Sequence, residues 1–155
     1  MLKTVTHFFQ RFDSTPHPRA EVDQLRFSVA CLAHEARRVD LDHDAREHPA
    51  AIGALVQMFG IESGEAEALL EQAREKAQQL TSYYSIVSVI KRDLSLEERI
   101  LLIEVLWRVA YADGALHGHE DHFVRKIAYL LYVPNTQVML ARARARATAE
   151  PALSS

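Results

Sequence analysis

Two stretches of this chain gather side chains that can hold cations. The first is Asp40-x3-Asp44-x2-Glu47 and the second is Asp113-x3-His117-x2-Glu120. Hard divalent ions such as calcium and magnesium require clustered carboxylate oxygens. The imidazole of His117, with His119 and His122 nearby, adds nitrogen donors of the kind zinc takes. A site assembled from both stretches would use Asp40, Asp44, Glu47, Asp113, His117 and Glu120. A second reading needs no ion. Acidic side chains at a helix start accept from its free amides and complement its dipole, and Gly114 supplies the turn.

The spacing rules out a true EF-hand. Asp113-Gly114-Ala115-Leu116 with Glu120 matches the closing half of such a loop. That register places Val109 and Tyr111 at the first two ligand positions, where neither side chain can coordinate.

Other chemistry has less to work with. Cys31 and His34 lie one turn apart, but on an apolar helix where cysteine is usually inert core. No third group, oxyanion loop or glycine-rich phosphate loop accompanies them, so no enzyme is expected. Arg142, Arg144 and Arg146 alternate by two, which leaves only Arg142 and Arg146 on one helical face. That reads as a solvated helix end rather than a nucleic-acid surface, and the net charge of −3 exerts no pull toward nucleic acid.

The N-terminal segment from Met1 to Phe12 carries Leu2, Val5, Phe8, Phe9 and Phe12 on one side. This apolar face either docks on the domain or serves a protein partner or a membrane surface. Lys3, Arg11 and the amino terminus suit an anionic membrane, where so short a helix gives only peripheral attachment, here at the inner membrane.

The elements that must position these residues are helical nearly throughout. Residues 1–18 form the amphipathic segment and a linker broken by Pro16 and Pro18. Leu25, Val29, Leu32 and Ala36 mark a helix from about Ala20 to Arg38. The next begins near Glu47 or His48, which puts Pro49 in its first turn, and stops at Gly60. Ser63 caps a helix over Ala66 to Leu80. Residues 82–92 are β-branched, but no second strand exists to pair with them, so helix is expected. Ser95-Leu96-Glu97-Glu98 is a capping box opening an apolar helix to about Ala112, with Glu97, Glu104 and Arg108 on one polar stripe. Glu120 to Val133 forms a helix stopped by Pro134, and a last helix reaches about Thr148 before a flexible tail over 149–155.

The two halves align on a shift of 73 residues without a gap. Val29, Leu32, Ala36 and Val39 fall on Leu102, Val105, Val109 and Ala112. Asp40 falls on Asp113, Glu47 on Glu120, and Ala51, Ala54 and Met58 on Val124, Ile127 and Leu131. This predicts two helical units packed face to face with pseudo-twofold symmetry.

The chain has 155 residues, enough for one domain with its own core, here over residues 19–148. One cysteine excludes a disulfide framework and a CxxC zinc site. Only 5 glycines and 5 prolines argue against a turn-rich β domain. No apolar run approaches the roughly 18 residues that cross a bilayer, and the N-terminus shows no signal-peptide core, so the cytoplasm is the expected location.

Leu106-Trp107-Arg108-Val109-Ala110-Tyr111-Ala112-Asp113-Gly114, with Glu120 six positions on and Glu97-Glu98-Arg99 before it, resembles the TerB-like family. The resemblance covers about Ala20 to Thr148. It implies an all-α fold of about seven helices in two pseudo-symmetric halves, to which this chain adds the N-terminal helix. It also implies a role linked to bacterial tellurite resistance and stress, without enzymatic activity, and association with membrane-linked complexes. An acidic patch for a divalent cation would comprise Asp40, Asp44, Glu47, Asp113 and Glu120. Leu41, His117 and Pro49 depart from the family pattern. Two functional expectations follow: a cation-binding scaffold or sensor, or a cation-independent module docking a membrane-associated partner through its N-terminal helix.

Overall fold

A computed structural model of the chain describes residues 19–36, 47–77, 79, 82–112 and 118–153. They form α1 (Arg19–Glu35), α2 (Glu47–Phe59), α3 (Ser63–Ala77), α4 (Tyr84–Asp93), α5 (Leu96–Ala110), α6 (Gly118–Leu130) and α7 (Asn135–Leu153). No strand occurs among the described residues, so the chain is all-α. The expected N-terminal helix lies outside them.

Local chemistry accounts for several helix ends. Ser95 and Glu98 form the capping box: the Ser95 hydroxyl accepts from the Glu98 amide at 3.3 Å, and the Glu98 carboxylate accepts from the Ser95 amide at 2.7 Å. Pro49 sits in the first turn of α2, where its missing N–H breaks no helical bond. Gly60 follows α2 with φ 64°, a conformation that glycine adopts without a Cβ penalty. The β-branched stretch is helical because Ile86, Val87, Val89 and Ile90 are buried against neighbouring helices.

The end of α6 differs from expectation. It stops at Leu130, short of both Val133 and Pro134. Tyr132 takes φ 57°, its amide donates to the Tyr129 carbonyl at 3.1 Å, and the Val133 amide donates to the Ala128 carbonyl at 3.0 Å. These are the two bonds of a Schellman stop, with tyrosine where glycine is usual. The backbone has already reversed before the proline is reached. Smaller differences occur elsewhere: α1 ends at Glu35, α5 at Ala110, and α7 runs on to Leu153.

Helix α5 is the centre of the core. It packs most extensively on α7 and also meets α1, α2 and α6. The first half shows matching pairings: α1 packs mainly on α3, and α2 touches both. The aligned apolar positions that are described are buried in both halves, including Val29 with Leu102, Leu32 with Val105, Ala54 with Ile127 and Met58 with Leu131. Ala112 is the exception and is exposed. Helix α4 has no counterpart in this pairing. It runs antiparallel to α1, tied by Arg92 donating to the Gln24 side chain at one end and Tyr83 to Glu35 at the other.

Candidate functional site

The second acidic stretch is bracketed by well-packed residues. Before it, Trp107 is fully buried, and its indole Nε1 donates to the Val138 carbonyl at 3.3 Å. Tyr111 stands 6.5 Å from Trp107, ring to ring. After it, Asp121 in the first turn of α6 accepts from Arg125 at 2.8 Å. Arg142 of α7 reaches both sides. Its Nε donates to the Tyr111 hydroxyl at 2.9 Å, its Nη1 lies 3.7 Å from Asp121, and its guanidinium lies 5.5 Å from the Trp107 ring. One side chain of α7 therefore contacts residues on both flanks of the stretch.

Glu120 is the site residue with a described side chain. It is 2% exposed, in the first turn of α6, where free amides and the positive end of the helix dipole favour an anion. A carboxylate withdrawn this far from water is costly unless donors or cations surround it. A hard-oxygen donor of this kind suits a divalent ion. Glu47 is the first residue of α2. Asp40, Asp44, Asp113 and His117 lie outside the described residues, as do Leu2, Val5, Phe8, Phe9 and Phe12. Among the described residues, no group of three or more histidine, cysteine or acidic side chains is placed to hold a metal.

The end of α1, at Glu35, precedes the first acidic stretch and connects to the start of α6 through Tyr83. Its hydroxyl donates to Glu35 at 3.1 Å, while its ring meets Phe123 edge-on with centroids 5.6 Å apart. Phe123 is one turn beyond Glu120. The helix termini flanking the two stretches are thus linked through one tyrosine.

Sequence reasoning missed these connections. Glu104, on the polar stripe of α5, is buried and bound by Arg108 at 2.9 Å and by Arg144 of α7. Arg142 and Arg144 are therefore ties between helices rather than a solvated end. Arg142 and Tyr111, Arg144 and Glu104, and Tyr83 and Glu35 lie 31, 40 and 48 residues apart in the chain, beyond any local pattern. Cys31 met expectation: it is fully buried, and burial, with a smaller contribution from the nearby Glu35 charge, pushes its thiol up to about 12.

These features define an all-α protein with a buried acidic residue at a helix junction. A family model described as tellurite resistance protein TerB matches residues 26–143, and the chain belongs to that family. Among curated proteins and solved structures, no match is found. No described helix is long and apolar enough to cross a membrane.

Proposed function

We propose that this chain is a non-enzymatic scaffold or sensor domain of stress response that takes up a divalent cation between its two acidic stretches. The observation that carries the reading is Glu120, the last residue of the second stretch, a carboxylate buried at a helix start. The link from Glu35 through Tyr83 to Phe123 supports bringing the two stretches to one end of the molecule. Asp40, Asp44, Glu47, Asp113, His117 and Glu120 would supply the ligands. A bound ion would neutralise carboxylates that otherwise repel one another, and so would make the loop conformation depend on cation concentration. The non-enzymatic part rests on Cys31, whose burial keeps it a thiol rather than a nucleophilic thiolate. The alternative is a cation-independent module that docks a membrane-associated partner through the apolar residues Leu2, Val5, Phe8, Phe9 and Phe12.

The test is a thermal-melt and calorimetric titration of chelator-treated protein with calcium, magnesium, manganese and zinc. A ligand at a hundredfold its Kd stabilises by about 2.7 kcal/mol. A saturable shift of that order, lost in Asp113→Ala/Glu120→Gln, is expected. A wild-type protein that responds to none of the four ions would return both stretches to helix capping.

A further inference from the structure

A cavity of about 280 Å³ opens to solvent between α1 and α3. Phe27 on α1, Ile61 just before α3 and Leu69 on α3 give it an apolar wall. Phe27 and Leu69 pack against the core yet are only half-buried, so part of each side chain still meets water. Asp23 and Glu65, both exposed, stand with Arg26 at its edge. The Arg26 guanidinium lies 5.8 Å from the Phe59 ring. With two carboxylates to one guanidinium, the edge is acidic in balance. The cavity is large enough to take a phenyl ring.

The chain itself carries phenyl rings within reach. Residues 1–18 lead directly into Arg19, the first residue of α1. The cavity residues of α1 follow four to eight positions later, which is about 6–12 Å along the helix. Phe12 precedes Arg19 by seven positions, a reach of up to about 23 Å when extended. Pro16 and Pro18 break the helical path between them, which lets the chain turn back over α1. Phe8 and Phe12 are four residues apart, on one face of a helix. The charged side chains of the segment up to Phe12 are Lys3 and Arg11, opposite in sign to the cavity edge.

We propose that the N-terminal segment docks on its own domain, with Phe12 in the α1/α3 cavity and Phe8 across its mouth. Phe12 packs on Phe27 and Leu69, and Arg11 meets Asp23 and Glu65. An aromatic ring suits this role because it buries a large apolar area with few torsions to fix. The ion pairs are solvent-accessible, so they set register more than strength. The direct joint to α1 makes the contact intramolecular, at an effective concentration of about millimolar for so short a linker. That tether favours this segment over a second copy or a foreign helix, each of which must find the same cavity from solution. Docking also withdraws Phe8 and Phe12 from any membrane surface. It does not depend on cation uptake at the acidic stretches.

Cross-linking of the full chain with a short bismaleimide tests this. Cys31 is buried and does not compete for the reagent. Gln10→Cys/Ala68→Cys puts one thiol on the segment and one at the cavity. Gln10→Cys/Tyr129→Cys puts the second thiol at an exposed position on α6 instead. The first pair should join within one chain about tenfold or more faster than the second. Phe8→Asp/Phe12→Asp, added to the first pair, should remove that advantage while the helical circular dichroism of the domain is kept. Leu69→Asp, in the cavity wall, should remove it from the other side. The proposal is overturned by equal rates for the two pairs, by an advantage indifferent to Phe8→Asp/Phe12→Asp, or by cross-links that form only between chains, which would mean a second copy. Wild-type chain that sediments with phosphatidylglycerol vesicles through Phe8 and Phe12, with no cross-linking advantage in solution, would overturn it in favour of a membrane surface.

Discussion

Glu104 lies on the central helix α5 and is one of the most buried charges among the described residues, so its replacement by glutamine tests how the core is locked. Its side chain is 4% exposed and accepts from Arg108, one turn along α5 at 2.9 Å, and from Arg144 on α7. Hydrogen bonds to charged groups contribute about 1.5–3 kcal/mol each when buried. Here the arginines are 24% and 42% exposed, so each can recover hydration by swinging outward, and the lower end of that range applies. Glu104→Gln keeps the shape and one acceptor, removes the charge, and should cost about 2 kcal/mol. Arg144→Met should cost about 1 kcal/mol, since Glu104 keeps Arg108. The double variant should cost less than the sum, with a coupling of about 1 kcal/mol. Urea unfolding followed by Trp107, the one tryptophan in the chain, reads this directly. With a slope of about 2 kcal/mol/M, the Glu104→Gln midpoint moves down by about 1 M. A loss below about 0.5 kcal/mol, or strict additivity with Arg144→Met, would show that the α5–α7 ion cluster contributes nothing beyond packing.

Three further outcomes follow from single sites. Cys31 should not react with a thiol reagent in the native state and should react at once in denaturant; its folded pKa is raised to about 12, so the stability it confers is present below the unfolded value and is lost as pH climbs from there toward 12, by up to about 1.4 kcal/mol per pH unit. Tyr132→Gly should be more stable than Tyr132→Ala by about 1 kcal/mol, because both lose the ring and only alanine keeps the Cβ strain at φ 57°; equal stabilities would mean the stop relaxes out of the left-handed region. Ser95→Ala should cost about 1 kcal/mol in chemical denaturation through the lost cap, and a change within a few tenths would mean that water replaces it.

Much of the fold is legible in the sequence because it is written locally. The Ser95 capping box, the Gly60 stop and the Pro49 start each depend on residues within one turn. The repeat aligns Val29 with Leu102 and Met58 with Leu131 because burial selects apolar residues at helical spacing, and all four are buried. The TerB family, matched over residues 26–143, is already visible in the motif around Trp107 and Asp113. Of the candidate cation site, the sequence supplied the residues, and the structure adds that Glu120 is buried.

What tertiary structure alone decides is which distant side chains meet. Glu104 sits in a pattern that reads as a polar stripe, yet the closeness of α5 and α7 buries it and brings Arg144 to it from 40 residues away. Arg142 reads as solvated until helix crossing sets it between Tyr111 and Asp121. Tyr132 carries no glycine-like signal; its left-handed turn is held by the two closing bonds after α6 and the Lys91 ammonium over its ring. Helical hydrogen bonds span four residues, so sequence specifies them one turn at a time. Crossing angles depend on every side chain between two helices at once, and the pairings that close the core exist only once the helices have packed.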